Sequence, residues 1–474
     1  MLLSLTGYIY WLAISKVAGP DVVGVASAIV GLACLVASVM SLGIPWGVQR
    51  FFGKELSLNR FSYVGVYLGS SMMVLFLSNA IGVFILLLLA QILVLNIGYD
   101  LFVMAIALLF LYSIANILTS LFRSALHTHI IMLVNVVAGL ARIPLGVYLV
   151  WIGLGWIGAT LGMIFMSLLT IIGFIFFIMK EFKDINLDVS WDVVKEVVKA
   201  GIPSWLPNSI SMIGVQSGIL AVFAVQGSFE TGLYYIAFAL SSIVSAIPRS
   251  VLTLMLPLLS GMRKGYVEAA ERAMRLSLAL STPLAIMLAL YPKLPLSLLG
   301  GMYIQASGEL CILALSTPAI AIFTGIWSLA YARGLYRLVL LLGLAQSIPR
   351  VLFYLSLTPR MGGVGAAVSF LIGSLTGATA ALIAARKLNL RLKPLDVTII
   401  ILIPCLVASV VYLTSLPWII ASLLLLFVSF VLYALLGVVS KDDSEELMRS
   451  ILPKELWSRV KPYVAVLMRI FYKD

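Results

Sequence analysis

Apolar runs of 18 or more residues recur along the chain, each long enough to cross about 30 Å of hydrocarbon as a helix. The pattern predicts fourteen spans, at about 1–17, 22–49, 62–92, 101–122, 128–151, 156–179, 200–226, 231–260, 273–291, 309–332, 338–358, 362–385, 396–414 and 417–439. Gly, Pro or charge marks most joints, among them Gly19-Pro20, Gly98 to Asp100, Gly153 to Gly155, and Pro359 to Gly363. The longest connection, Lys180 to Lys199, has a helix start at Ser190 and leads amphipathically into span seven. In the tail, Leu447, Ile451, Leu452 and Leu456 recur at helical spacing, which predicts an interfacial amphipathic helix over 441–474.

Composition fixes the class. Of the 474 residues 62% are hydrophobic and 11% charged, about half the charge a soluble surface needs. The chain is therefore expected to be an all-α polytopic membrane protein. Met1 to Val17 reads as a retained first span, because no charged n-region with a cleavage site precedes it. Cys34, Cys311 and Cys405 lie inside apolar runs and read as small packing residues. His127 and His129 have no cluster of ligating residues near them in sequence, so no metal and no organic cofactor is expected.

The net charge of +12 is a topology signal and calls for no nucleic acid. Most of the 31 Lys and Arg residues fall on one side when the 2–3, 4–5, 6–7, 8–9, 10–11 and 12–13 loops and the tail share it. That side is expected to be cytoplasmic, with both termini inside, in the cell membrane.

The chain also repeats itself. The turn at Gly19 returns at Gly227, and Gly24 returns at Gly232, both 208 residues on. Arg142 and Arg350 share that offset, each in the fifth span of its half and each near a proline, Pro144 or Pro349. Trp156 to Thr160 matches Gly363 to Ala367 about 207 on. Six spans per half preserve orientation, so the two six-helix lobes should be related by a pseudo-twofold axis along the membrane normal. The predicted organisation is an N-lobe at 1–180, a linker at 181–199, a C-lobe at 200–386, two further spans at 387–440 and the tail. Met1 aligns with Ser209 inside span seven, so the first span reads as short, with the true start expected upstream.

Certain residues carry a family likeness: Gly19-Pro20-Asp21 to Gly24, the serine-rich second span, and Leu42-Gly43-Ile44-Pro45 leading to Gln49-Arg50. Val194 to Pro203 before span seven and Thr231 to Ala237 opening span eight add to it. Over spans one to twelve the chain resembles polysaccharide or oligosaccharide flippases of the multidrug/oligosaccharidyl-lipid/polysaccharide exporter superfamily. The resemblance implies two six-helix lobes around a cavity that moves lipid-linked sugar outward by alternating access. Members often carry an acidic–basic pair in span seven, where this chain has Gln216-Ser217.

An arginine inside a span costs roughly 3 kcal/mol on insertion scales, so it needs a partner or wet surroundings. Arg142 and Arg350 should lie near mid-membrane, with Asn135 on the face of the first and Gln346 on the face of the second. Arg249 shares a stripe with Ser242, Ser245 and Thr253, and span two offers Ser27, Gly31, Cys34, Ser38, Ser41, Pro45 and Gln49. Forked guanidinium donors suit a diphosphate. The expected substrate-binding set is Arg142, Arg249, Arg350, Arg50, Gln216, Asn135, Gln346 and Asn208. The same stripes could instead serve close helix packing, with the arginines on carbonyls freed by the prolines.

The 19 Asp and Glu residues all read as loop, span-end or tail positions, with Glu309 opening span ten from outside. Ion-coupled export usually needs an intramembrane carboxylate, so a multidrug or cation antiporter is the second reading. A membrane glycosyltransferase or polysaccharide ligase comes third, because the outer loops are too short to house acid–base machinery. The expected function is a non-enzymatic, monomeric flippase for isoprenoid-diphosphate-linked oligosaccharide, with membrane lipids as its surroundings.

Overall fold

The computed structural model describes residues 2–58, 60–92, 99–182, 187–261, 265–390, 394–414 and 416–439. The predicted tail helix over 441–474 lies outside them. Among the described residues there is no strand. In order, the helices are α1 (Leu2–Val17), α2 (Pro20–Met40), α3 (Ile44–Ser57), α4 (Phe61–Ile92), α5 (Tyr99–Ser124), α6 (Thr128–Leu149), α7 (Gly155–Glu181), α8 (Trp191–Gly261), α9 (Tyr266–Leu290), α10 (Lys293–Ser297), α11 (Ser307–Leu315), α12 (Thr317–Ala332), α13 (Tyr336–Ala385), α14 (Pro394–Leu413) and α15 (Trp418–Leu435). Among the described residues ten helical stretches are long and apolar enough to cross a membrane.

Three of those ten are double-length runs of 54, 61 and 53 residues, at Thr128–Glu181, Trp191–Val251 and Tyr336–Leu388. Drawn straight, each would reach about 80–90 Å, far beyond a hydrocarbon core of about 30 Å. Each breaks at glycine in a backbone region closed to other residues: Gly153 (φ 97°), Gly227 (φ 82°) and Gly362 (φ 57°). Past the break the arms fold back on each other. Gly218 abuts Tyr234 within α8, and Gly373 abuts Arg350 within α13.

Elsewhere the expected spans are cut. The stretch at 22–49 is two helices, because Leu42 (φ 47°) and Gly43 (φ 71°) leave helical geometry and Pro45 sits in the first turn of α3. Likewise 309–332 divides at Ser316, ahead of Pro318 in the first turn of α12.

The chain forms two compact units. The first holds Met1–Ala239, Leu296–Glu309 and Val339–Gly373; the second holds Leu240–Pro295, Leu310–Leu338 and the chain from Ser374. In the second, α9 packs against α12, α14 and α15, with Ile286, Ala408 and Leu425 at the centre of a small core. The Tyr433 hydroxyl donates to the Ile400 carbonyl at 2.7 Å, tying α15 to α14.

The first unit shows the internal repeat as contacts. Gly155 (φ 50°, ψ −128°) and Gly362 (φ 57°, ψ −135°), 207 apart, share one unusual conformation. Gly139 abuts Thr6, where a Cβ would come 2.5 Å from Oγ1. At an offset of 208 residues, Ser347 abuts Gly214 at the same distance, with bulk and glycine exchanged. Gly146 against Tyr10 (2.6 Å to the hydroxyl) likewise becomes Tyr354 against Gly218 (2.7 Å). Each half fills the same gap between its first and fifth spans from the opposite side.

Candidate functional site

Arg142 lies on the buried face of α6, at 3% exposure, against α1 and α7. The small residues Gly139 and Gly146 on that face let α1 come close enough to bring Tyr10 beneath it. The guanidinium sits over the Tyr10 ring, 4.6 Å from its centroid. Tyr10 is held in place by a hydrogen bond from its hydroxyl to the Ala159 carbonyl of α7. Nη1 points at two sulfurs of α7, Met163 Sδ and Met166 Sδ, each at 3.0 Å. Nε is buried without a hydrogen-bond acceptor. Among the described residues Arg142 makes no ion pair.

A buried cation is ordinarily neutralised by a carboxylate, since an isolated one costs several kcal/mol. Here the partners are a ring face and two thioethers, which attract a cation weakly and give way readily.

Arg350 occupies the equivalent seat in the other half. It is 2% exposed, its guanidinium 4.1 Å from the centroid of the Phe370 ring. Phe370 stands 207 residues from Met163, and Gly373 stands 207 from Met166. A Cβ on Gly373 would fall 2.5 Å from Arg350 Cβ, so that glycine makes room for the arginine. Gln346 (6%) and Ser347 (3%) are buried beside it, one turn earlier.

The other expected residues are placed variously. Asn135 is half-buried, its Nδ2 donating to the Ile131 carbonyl at 2.8 Å, and Asn208 donates to the Ser204 carbonyl at 2.7 Å. Gln216 is half-buried and faces Gly31 of α2, where a Cβ would lie 3.9 Å from its amide. Arg50 is exposed on α3. Arg249 is exposed and belongs to the second unit, while Ser245 on its stripe is buried and hydrogen-bonded to Thr317 at 3.2 Å.

Three features escaped the sequence. Tyr10 carries no repeat signal, because its counterpart is Gly218. Met163 and Met166 read as ordinary apolar positions of a span, though the offset from Phe370 could have flagged the first. Glu309, placed by its sequence at a span end, is 5% exposed with Oε2 lacking any hydrogen-bond partner. It lies against Gly363, where a Cβ would come within 2.9 Å of Oε1.

A family model described as polysaccharide biosynthesis protein matches residues 28–303. No curated protein sequence matches the chain. Among solved structures, a lipid II flippase MurJ in an inward closed conformation superposes with a TM-score of 0.66 at 16% identity, over 87% of this chain and 96% of that one. An inward-facing multidrug resistance MATE transporter of the MOP superfamily gives 0.63 at 15% identity, over 82% and 95%. The MATE multidrug transporter DinF-BH gives 0.55 at 18% identity, over 82% and 93%. At these identities the likeness is one of fold.

Proposed function

Because the chain belongs to the polysaccharide biosynthesis protein family, matched over 28–303, we propose that it is a membrane flippase carrying isoprenoid-diphosphate-linked oligosaccharide from the cytoplasmic to the outer leaflet by alternating access. The observation that carries the reading is Arg142. It is a fixed positive charge, buried in a span, held by a ring and two sulfurs. A diphosphate supplies the missing counter-charge in the forked geometry that guanidinium prefers. Arg350 offers a second such group, and Arg249 and Arg50 complete the positive set. Asn135, Gln216, Gln346 and Asn208 are the amides that would meet sugar hydroxyls. The protein would act as a monomer in the cytoplasmic membrane, both termini inside, without a cofactor and without bond-making chemistry.

Reconstituted translocation of a lipid-linked oligosaccharide tests the reading, comparing the unmodified protein with Arg142→Ala, Arg350→Ala and Arg249→Ala at matched amounts in the membrane. Loss in all three is expected. Full activity in all three would sink the cationic mechanism.

Glu309 supports a second reading. A buried carboxylate with a bare oxygen is the group an ion-coupled antiporter uses, and the fold is shared with multidrug transporters. Gradient-driven export of a cationic dye, abolished by Glu309→Gln, would favour it.

A further inference from the structure

We infer that Glu309 and Arg350 are the two ends of one buried hydrogen-bonded column, carried by Tyr234, Thr358 and Tyr354 and completed by water, through which a proton held at Glu309 is felt at Arg350. The column deepens the flippase reading and rests on it only for what the coupling serves.

Ser347, Arg350, Tyr354 and Thr358 follow steps of three, four and four, so they share one face of α13, and all four are buried. Along that face Ser347 Oγ, Tyr354 Oη and Thr358 Oγ1 have no hydrogen-bond partner among the described residues. The helix then breaks at Gly362, and against the next residue, Gly363, lies Glu309 with Oε2 equally bare. Tyr234 of α8 closes the gap between the ends. Its hydroxyl and that of Tyr354 both face Gly218, where a Cβ would fall 2.9 Å from the first and 2.7 Å from the second. Tyr234 interacts electrostatically with Glu309 and with Arg350, and Tyr354 with Arg350.

Buried polar atoms that find no partner in the protein are ordinarily met by ordered water, one molecule of which makes about three hydrogen bonds. The ends fix the direction of such a file. A guanidinium only donates, and an ionised carboxylate only accepts. Each hydroxyl and each water between them accepts from the Arg350 side and donates toward Glu309, so every bond points the same way. A proton on Glu309 turns the final acceptor into a group that also donates, and the alignment is lost. A proton suits this end, since it needs one acceptor where a metal ion needs about six oxygens. The titratable groups facing Glu309 are Glu230 and Tyr234 of α8, while α13 presents only glycine.

The other half supplies the control. At the offset of 208 residues it has Leu101 for Glu309, Val150 for Thr358, Gly146 for Tyr354 and Ala26 for Tyr234. The phenol that fills the same gap there, Tyr10, is satisfied by the Ala159 carbonyl, whereas Tyr354 Oη has no such acceptor. The shared fold is thus built without any of these polar groups, and the second half carries them for another purpose. Proton uptake at Glu309 adds one positive charge to that half and so favours an anion at Arg350. By linkage, an anion there favours the proton to the same degree.

The test reads the carboxyl group itself, by infrared difference spectra of the reconstituted protein on pH steps. One carboxylic-acid carbonyl band should titrate, move in heavy water and be missing from Glu309→Gln. Tyr354→Phe and Thr358→Val each remove one hydroxyl and should change its frequency. Arg350→Met should raise its midpoint by about half to one pH unit, because losing a positive neighbour disfavours the carboxylate. Arg142→Met, the same change in the other half, should leave the midpoint in place. No band belonging to Glu309, or one that answers sodium at fixed pH instead of protons, would overturn the inference. If Arg350→Met fails to reach the membrane the hydroxyl variants decide, and a frequency unchanged in both overturns it equally. Binding of farnesyl diphosphate to the same samples separates this inference from the flippase reading. It should weaken severalfold as pH rises through the midpoint of the band, beyond any change seen in Glu309→Gln. An equal pH dependence in that variant overturns the coupling. No binding at any pH, with the band behaving as expected, sinks the diphosphate reading and leaves the column standing.

Discussion

Replacing Arg142 with methionine separates a charge kept for function from one kept for packing. Methionine is unbranched and apolar, so it removes the charge while retaining much of the volume and leaving Tyr10, Met163 and Met166 in contact. Removing an arginine from the interior of a membrane span recovers about 2.5–3.5 kcal/mol on insertion scales. The ring contact given up is worth about 0.5–2 kcal/mol. The two bonds to sulfur, treated as ordinary neutral hydrogen bonds, add about 1–3 kcal/mol. Gain and loss nearly cancel at their midpoints, so the variant should be as stable as the unmodified protein to within about 2.5 kcal/mol, a change of a few degrees in melting temperature. Transport should behave otherwise. One charged hydrogen bond to phosphate is worth about 1.5–3 kcal/mol, so the rate at low substrate should fall by about 10- to 150-fold. The assay pairs thermal unfolding in detergent with reconstituted translocation at equal protein. A large loss of stability, with transport falling only in proportion to the folded fraction, would refute the reasoning and make Arg142 a structural residue.

Gly146→Ala drives a methyl into the Tyr10 ring and should cost about 1–3 kcal/mol, part of it relieved by adding Tyr10→Leu, as thermal unfolding of the single and double variants would reveal. Gly363→Ala should destabilise by forcing Glu309 aside, whereas Glu309→Gln should be neutral or stabilising, because it removes a buried charge with a bare oxygen; both are read by melting temperature. Tyr433→Phe removes the bond to Ile400 and should cost about 0.5–1.5 kcal/mol of stability with transport unchanged.

The membrane class and most helices were legible because a bilayer leaves the backbone almost no alternative to continuous apolar helix. The repeat was legible because turns are specified locally: Gly155 and Gly362 need their glycines whatever packs around them. What sequence hid was decided by distant partners. The run at 22–49 looks continuous in hydrophobicity, yet Pro45 and the positive φ of Leu42 and Gly43 divide it. Glu309 stands where charge normally meets water, and only the approach of Gly363 shows that it is buried. The ring under Arg142 comes from a helix more than a hundred residues away, with no counterpart in the other half to announce it.

The exchange of bulk and glycine between the halves sets which surfaces are smooth. In the first half α6 presents the flat glycine track, at Gly139 and Gly146, and α1 carries the teeth, Thr6 and Tyr10. In the second half α8 is flat at Gly214 and Gly218, while α13 is toothed at Ser347 and Tyr354. A saturation scan should therefore find intolerance to added size on the fifth span of one half and on the first span of the other. Two copies of either half joined in tandem would pair flat with toothed surfaces correctly inside each copy. Grafting the α1 segment in place of its α8 counterpart would set Tyr10 against Tyr354 and jam. The packing is consistent inside each half, and a single helix moved between halves would break it.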